Sequence, residues 1–296
     1  MTEVDSSPRV LVTNAEQRAV LAACRGLHDG GFAVGAVSES RPAAALWSRA
    51  CRERLGQTPP ATDARALVDR LASVVSGRGY RLVVPGTDAA LFAVSRHREL
   101  LDGVAETALP GHAQVTKAFD RVALFDAASR SGFDCPSFRL CTDGQEALTA
   151  GGALGFPVMV KPLHAVVESP TGLVRRHSIR VDGPEKLAQV SVDHPGAFIV
   201  QAHEAGRVAS FSGVHAGGRL VASAFSRYRW GDADLRHALW QLRHRRVRAA
   251  LRVARPRGGT VHAYARWSDP GPLAARLAEL GMVAGRRRAG RRTDPG

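Results

Sequence analysis

Lys161 is the first residue to ask for a chemical explanation. Of the 41 lysines and arginines in the chain, only Lys117, Lys161 and Lys186 are lysine. Lys161 closes the run GFPVMVK at residues 155–161, and Pro162 ends it. An apolar, β-branched run of this kind reads as a strand. A lysine on such a strand has two physical readings. It can snorkel, with its stem on apolar surface and its ammonium in water, or blunt a sheet edge against stray pairing. Alternatively it holds a compact positive charge on a rigid element to meet a phosphate. Periodicity alone leaves both readings open.

The elements that must position such a residue follow from the patterning. Residues 9–13, RVLVT, predict a first strand. Asn14-Ala15-Glu16 opens an apolar-periodic helix carrying Val20, Leu21, Cys24 and Leu27, which stops at Gly30-Gly31. Residues 32–37 and 80–84 predict two more strands, so the sheet is expected to be parallel with right-handed crossovers. Between them, alanine-rich 43–55 predicts a helix, and 62–76 another with Asp63 near its start. No glycine-rich dinucleotide fingerprint follows the first strand, which argues against a Rossmann site. Pro85, Gly86, Thr87 and Asp88 fall just past a parallel strand, where doubly wound sheets bind ligands. Thr87 or Asp88 can equally cap the helix that follows.

Leu109-Pro110-Gly111 breaks this pattern. A helix is predicted over 113–131, with Lys117, Asp120, Arg121, Leu124 and Phe125, then an extended SFRLC and a second helix over 143–154. After the Lys161 strand, Gly172 reads as a turn between short strands, 182–190 as a helical fragment and 198–201 as a strand. Residues 206–215 and 219–228 alternate as a hairpin around Gly217-Gly218. The expected fold class is α/β and α+β. An N-terminal parallel-sheet domain covers 1–108, a mixed α+β region 109–230, and an arginine-rich tail 231–296.

The formal net charge is +14, but residues 227–296 hold 17 arginines against five acids, so the body is nearly neutral. Nucleic acid is therefore not the expected partner of the body. The tail has three readings: a solvated or disordered basic arm, a nucleic-acid or acidic-surface binder, or GC-rich DNA translated in a shifted frame. Cys24, Cys51, Cys135 and Cys141 form no CxxC pair, as expected for buried thiols in a reducing compartment. The short acidic leader does not read as a signal peptide. No apolar run approaches the ~20 residues needed to cross a membrane. The cytoplasm is the expected location, and the oligomeric state is left open.

Four stretches in order carry a family resemblance: VVPGTDAALF ending at Phe92, KAFDRVALFDAASRSGFDCPSF at 117–138, LGFPVMVKP at 154–162 and FIVQAHEAG at 198–206. Together they resemble the ATP-grasp superfamily, especially its carboxylate–amine ligase and carbamoyl-phosphate-synthase-like members. The resemblance implies ATP held in a two-lobed domain, with the C-terminal lobe incomplete here after about residue 230. It makes Lys117 and Lys161 the two phosphate-contacting lysines. It places Gln201, Ala202 and His203 at the adenine edge, and Glu168, Ser169 and Gly172 in a flexible loop over the phosphates. Arg227 and Arg229 match basic residues that contact phosphate or the acyl substrate, and so are the candidate catalytic residues. The implied partners are ATP and a small carboxylate, activated as an acyl phosphate for attack by an amine.

The chain also departs from the family. The family hinge commonly reads Gln-Glu, whereas here Ala202 and His203 follow Gln201 and Glu204 comes later. The family implies magnesium held by late carboxylates. After Trp230 the only acids are Asp232, Asp234, Asp269, Glu279 and Asp294, and there is no asparagine, so those ligands are not identifiable. Three functions stay open: an ATP-dependent ligase, an inactive or regulatory relative lacking the magnesium sites, and a nucleic-acid-binding protein acting through its tail.

Overall fold

Short β-branched runs alternate with amphipathic stretches, and the backbone follows them. The computed structural model describes residues 7–169, 172–192, 196–206, 208–216 and 218–227. The basic tail, Arg229 and the late acids lie outside the described residues. In chain order the elements are β1 (Arg9–Val12), α1 (Arg18–Asp29), β2 (Ala33–Ser38), β3 (Glu53–Gln57), α2 (Ala64–Arg78), β4 (Leu82–Val84), α3 (Asp88–Arg96), α4 (His112–Phe119), α5 (Arg121–Arg130), β5 (Phe138–Cys141), α6 (Gly144–Leu154) and β6 (Val158–Pro162). They continue with β7 (Val166–Ser169), β8 (Gly172–Arg175), β9 (Ile179–Val181), α7 (Pro184–Val192), β10 (Phe198–Ala202), β11 (Ala209–Ala216) and β12 (Arg219–Arg227). The described residues fall into two units, one of 7–119 with 166–175 and the other of 120–165 with 176–227.

The first unit is built on a parallel sheet of order β3-β2-β1-β4. Both faces are buried, as parallel sheets require. Leu11, Val37 and Val83 pack with Leu67, Leu71 and Phe92 of α2 and α3. Val10, Val12, Val34 and Ala36 pack with Val20, Leu21 and Cys24 of α1. The helices start where their caps sit. The Asp63 carboxylate accepts from the Ala66 amide at 3.1 Å, and the Thr87 hydroxyl accepts from the Ala90 amide at 3.2 Å. Thr87 thus acts as a cap, and its hydroxyl also donates to Asn14 Oδ1 at 3.3 Å. The β7–β8 hairpin belongs to this unit: Val166 and Leu173 are buried in the same cluster as Leu67 and Leu71.

The helix expected over 43–55 does not form. Only a 3-10 turn, Ala44–Trp47, is present, and the chain then enters β3. The reason is tertiary. Glu53 and Arg54 pair with Gly35 and Ala36 of β2, and the Glu53 carboxylate is ion-paired to Arg9 and Arg78. Alanine propensity, a few tenths of a kcal/mol per residue, is a weak prior against such pairing.

Tyr80, 1% exposed, donates its hydroxyl to Glu53 Oε2 at 3.0 Å, and the Arg9 guanidinium lies 5.0 Å from its ring centroid. Burial, then the Glu53 hydrogen bond, push its phenol up to about 12. The folded state therefore favours the neutral phenol. The stability this contributes is complete below the ordinary tyrosine value near 10 and is lost as pH rises towards about 12. In an ultraviolet titration of the folded protein, one of its three tyrosines is expected to ionise late, and Tyr80→Phe is expected to remove that step. A Tyr80 that titrates near 10 would contradict this.

The second unit centres on an antiparallel sheet of order β5-β10-β6-β9. The helix predicted over 113–131 divides at Asp120. Its side chain accepts from the amides of Val122 at 2.9 Å and Ala123 at 3.0 Å, so it starts α5 as a new helix. β11 and β12 form a separate hairpin, with Phe211 opposite Phe225. Among the described residues no helix is long and apolar enough to cross a membrane.

Candidate nucleotide-binding face

Strand alternation gives the β5-β10-β6-β9 sheet two chemically different faces. Val158, Val160, Val181, Phe198, Val200 and Cys141 point to one side and pack on Ala147 and Ala150 of α6 and Leu187 and Val190 of α7. The residues between them, Met159, Lys161, Ile199 and Gln201, must point the other way. The register confirms the grouping: Ile199 lies opposite Lys161, and Gln201 opposite Met159. Lys161 and Gln201 are therefore diagonal neighbours on one face, a spacing of about 7–8 Å between Cα atoms.

Arg121, the first residue of α5, joins this group. Its amide donates to the Leu163 carbonyl at 3.1 Å and its Nε to the Pro162 carbonyl at 2.9 Å, which ties the helix start to the end of β6. Burial, and next the Arg121 charge, push the Lys161 ammonium below the usual lysine value. Burial alone does the same to Arg121. Neither cation has a carboxylate partner among the described residues. Like charges held together against desolvation make a place for an anion. Gln201 adds a second kind of demand. It is 5% exposed and its Oε1 meets no donor among the described residues. Such an orphaned acceptor costs about 1–3 kcal/mol unless a ligand or water supplies the donor. A triphosphate bearing an amino-purine offers both the anion and the donor, so the residues present fit a nucleotide.

The other candidate residues are distributed as follows. Ala202 and His203 continue from Gln201, but their amides are taken, donating to Ser137 O at 2.8 Å and Pro157 O at 3.3 Å. Those two N–H groups serve the β5 and β6 ends of the sheet. Lys117 is exposed on α4, in the first unit. That helix is anchored by ring contact between His112 and Phe92 at 4.9 Å and by the 3.0 Å approach of His112 Nδ1 to Ser95 Oγ. Glu168 lies opposite Leu173 in the β7–β8 pair, and the Ser169 hydroxyl donates to the Gly172 carbonyl at 2.7 Å. The backbone of these residues forms the antiparallel β7–β8 pair, held in the first unit by the Leu173 amide donating to Thr62 O at 2.8 Å. Arg227 ends β12.

Arg121 is the contributor that sequence patterning passes over. Its only local signal is its position directly after the capping Asp120. As for magnesium, among the described residues no three His, Cys, Asp or Glu side chains gather into a group able to hold a metal ion. The described residues do not fit that part of the expectation.

No protein-family model matches the chain. A stretch of 114 residues, 38% of this chain and 10% of the relative, is 28% identical to the mitochondrial arginine-specific carbamoyl phosphate synthase large chain of Schizosaccharomyces pombe. Among solved structures, the N5-carboxyaminoimidazole synthetase of Staphylococcus aureus matches 77% of this chain with a TM-score of 0.53 at 8% identity. An L-amino acid ligase of Bacillus licheniformis matches 76% with a TM-score of 0.52 at 12% identity. The chain spans 56% and 54% of those two proteins. These likenesses show the fold, a parallel-sheet domain followed by a two-lobed architecture.

Proposed function

We infer, from the ATP-grasp-superfamily fold that the chain carries at low identity to its relatives, that it binds ATP on the Lys161 face and serves ligase chemistry. In that chemistry ATP activates a small carboxylate as an acyl phosphate, and an amine displaces the phosphate. The observation that supports the reading is the coincidence of two cations without a carboxylate partner among the described residues, Lys161 and Arg121, with the orphaned Gln201 Oε1. Lys161 supplies a point charge for phosphate oxygens, and Arg121 a guanidinium held at the end of β6. Gln201 accepts from the amino group of the base. Lys117, Glu168, Ser169, Ala202, His203, Arg227 and Arg229 are proposed as further contacts. Preorganised cations of this kind usually supply the main electrostatic term in phosphoryl chemistry. The four cysteines suit a reducing compartment such as the cytoplasm.

A second reading is a nucleotide-binding relative without turnover. It is favoured by the five acids after Trp230, none in an apolar strand run. Titration calorimetry with ATP, with and without magnesium, tests the binding that both readings share. A folded sample that gives no heat at millimolar nucleotide would exclude both. Release of phosphate and ADP in the presence of a panel of carboxylates separates them: turnover selects the ligase, and binding without turnover selects the relative.

The lowered Lys161 value also sets a pH dependence. A bound polyanion favours the charged ammonium, so the complex holds more protons than the free protein wherever free Lys161 is partly neutral. Affinity is therefore expected to weaken as pH rises through the lowered value, with net proton uptake on binding. Calorimetry in buffers of different ionisation enthalpy reads that uptake directly. Proton-neutral binding at alkaline pH would remove Lys161 from the contact.

A further inference from the structure

A different part of the first unit holds an arrangement that the nucleotide reading does not use. The connection after β2 and the edge strand β3 border an open cavity of about 550 Å³. This lies within the range of about 300–1,000 Å³ typical of small-molecule sites. Arg41 and Pro42 form one side, Leu46 and Trp47 of the 3-10 turn a second, and Arg54 and Gly56 of β3 a third. The fold explains why they meet. Ala44, Ala45 and Leu46 are buried beside Ala36, which pins the turn against that face of the sheet. Arg54 lies opposite Ala36 in the β2–β3 register and so projects on the same face. A side chain at Gly56 would meet no atom within 4 Å, which fits the open space beside it.

Two features of this cavity are chemically unfinished. Arg41 and Arg54 are both exposed and carry no ion pair or hydrogen bond among the described residues. Three arginines elsewhere in the unit are matched with acids: Arg9 and Arg78 with Glu53, and Arg65 with Asp69. The field of Arg54 reaches into the protein, where it opposes the upward push of burial on the Cys51 thiol. Two guanidiniums converging on one concavity without a counter-acid repel each other, and an anion relieves that repulsion. The second feature is Trp47, which is 50% exposed although Leu46 beside it is 7% exposed. An indole presented in a concave wall gives a flat surface for stacking, and guanidiniums pair with phosphate or carboxylate in forked geometry.

We propose that this cavity is a separate binding site for a small, flat aromatic molecule bearing a phosphate or carboxylate group. The ring lies on Trp47 and the anionic group between Arg41 and Arg54. This proposal does not depend on the nucleotide reading. The test is calorimetric titration of the full chain with naphthyl phosphate, naphthoate, naphthol and inorganic phosphate, repeated on Arg41→Ala/Arg54→Ala, Trp47→Leu and Lys161→Ala. At least one aromatic anion is expected to bind with a Kd below about 1 mM. Naphthol and inorganic phosphate are expected to bind about tenfold more weakly, because each lacks one half of the recognition. Both cavity variants are expected to lose about tenfold in affinity or more, a loss of the size of one charge-assisted contact, and Lys161→Ala none. Preference for the phosphate or for the carboxylate identifies which anion the site takes. All three altered side chains are substantially exposed, and circular dichroism verifies that the variants fold. The proposal is overturned if no aromatic anion binds, if binding survives both cavity variants, or if inorganic phosphate binds as tightly as the aromatic anions.

Discussion

Lys161→Ala is expected to weaken ATP binding by about ten- to a hundredfold, the loss of one hydrogen-bonded charge contact worth about 1.5–3 kcal/mol. The same substitution is expected to leave the unliganded protein at least as stable as the wild type. Lys161 is half-buried beside Arg121 with no carboxylate partner among the described residues, and its ammonium is disfavoured by burial and by that neighbour. Removing it relieves a cost in the free protein and removes a contact only in the complex. This opposite movement of affinity and stability separates a ligand-binding lysine from a snorkelling one, whose loss would lower stability and leave affinity alone. Arg121→Ala is expected to show a smaller version of the split, since its Nε also ties α5 to the Pro162 carbonyl. Calorimetry and thermal unfolding on the same samples decide it. Unchanged ATP affinity in Lys161→Ala would return the lysine to the structural reading.

Gly35→Ala is expected to destabilise the first unit strongly. A Cβ on Gly35 would overlap the Tyr80 Oη and lie 2.5 Å from its Cζ and 2.8 Å from its Cε1. Tyr80 has little room to withdraw. It is 1% exposed, its hydroxyl is bonded to Glu53, and Glu53 is held by Arg9 and Arg78. Overpacking of this kind costs about 3 kcal/mol or more, with the Glu53 hydrogen bond lost besides. Because the hydroxyl is the nearest atom, Tyr80→Phe in the Gly35→Ala background is expected to recover part of the loss. In the wild-type background the same change only destabilises. Denaturant unfolding of the four proteins gives the coupling energy, and additive effects would show that the ring moves aside freely.

The two sites differ in how far they can be read from the chain. The strand character of residues 158–162 and the singular lysine upon it follow from residue types alone. So do the caps at Asp63 and Thr87 and the strand ahead of Gln201, because alternation and capping are local. The cap at Asp120 was equally local in chemistry, yet it lay inside one continuous apolar pattern that predicted a single helix over 113–131. Arg121 acquires its place only when the Leu163 and Pro162 carbonyls arrive beside it, more than forty residues along the chain. Gln201 looks like any polar residue at a strand end until the sheet buries it and leaves its oxygen without a donor. The cavity by Trp47 was hidden for a related reason. Alanines at 43–45 and 50 favour a helix locally, and only pairing with β2 turns residues 53–57 into an edge strand with Arg54 above the cavity.

Outside residues 43–57 and the break at Asp120, the sequence by itself determined the order of strands and helices, the parallel character of the first sheet, and the presence of one lysine at the end of an apolar strand. These rest on periodicity and capping, which act over a few residues. The tertiary structure decided which face Lys161 shares with Gln201, that a second cation stands beside it, and that the alanine-rich stretch became a turn and an edge strand. Those outcomes depend on register between strands distant in sequence, where a shift of one residue moves every side chain to the opposite face. The lysine that first suggested a phosphate contact therefore owes its residue type to the chain and its surroundings to the sheet.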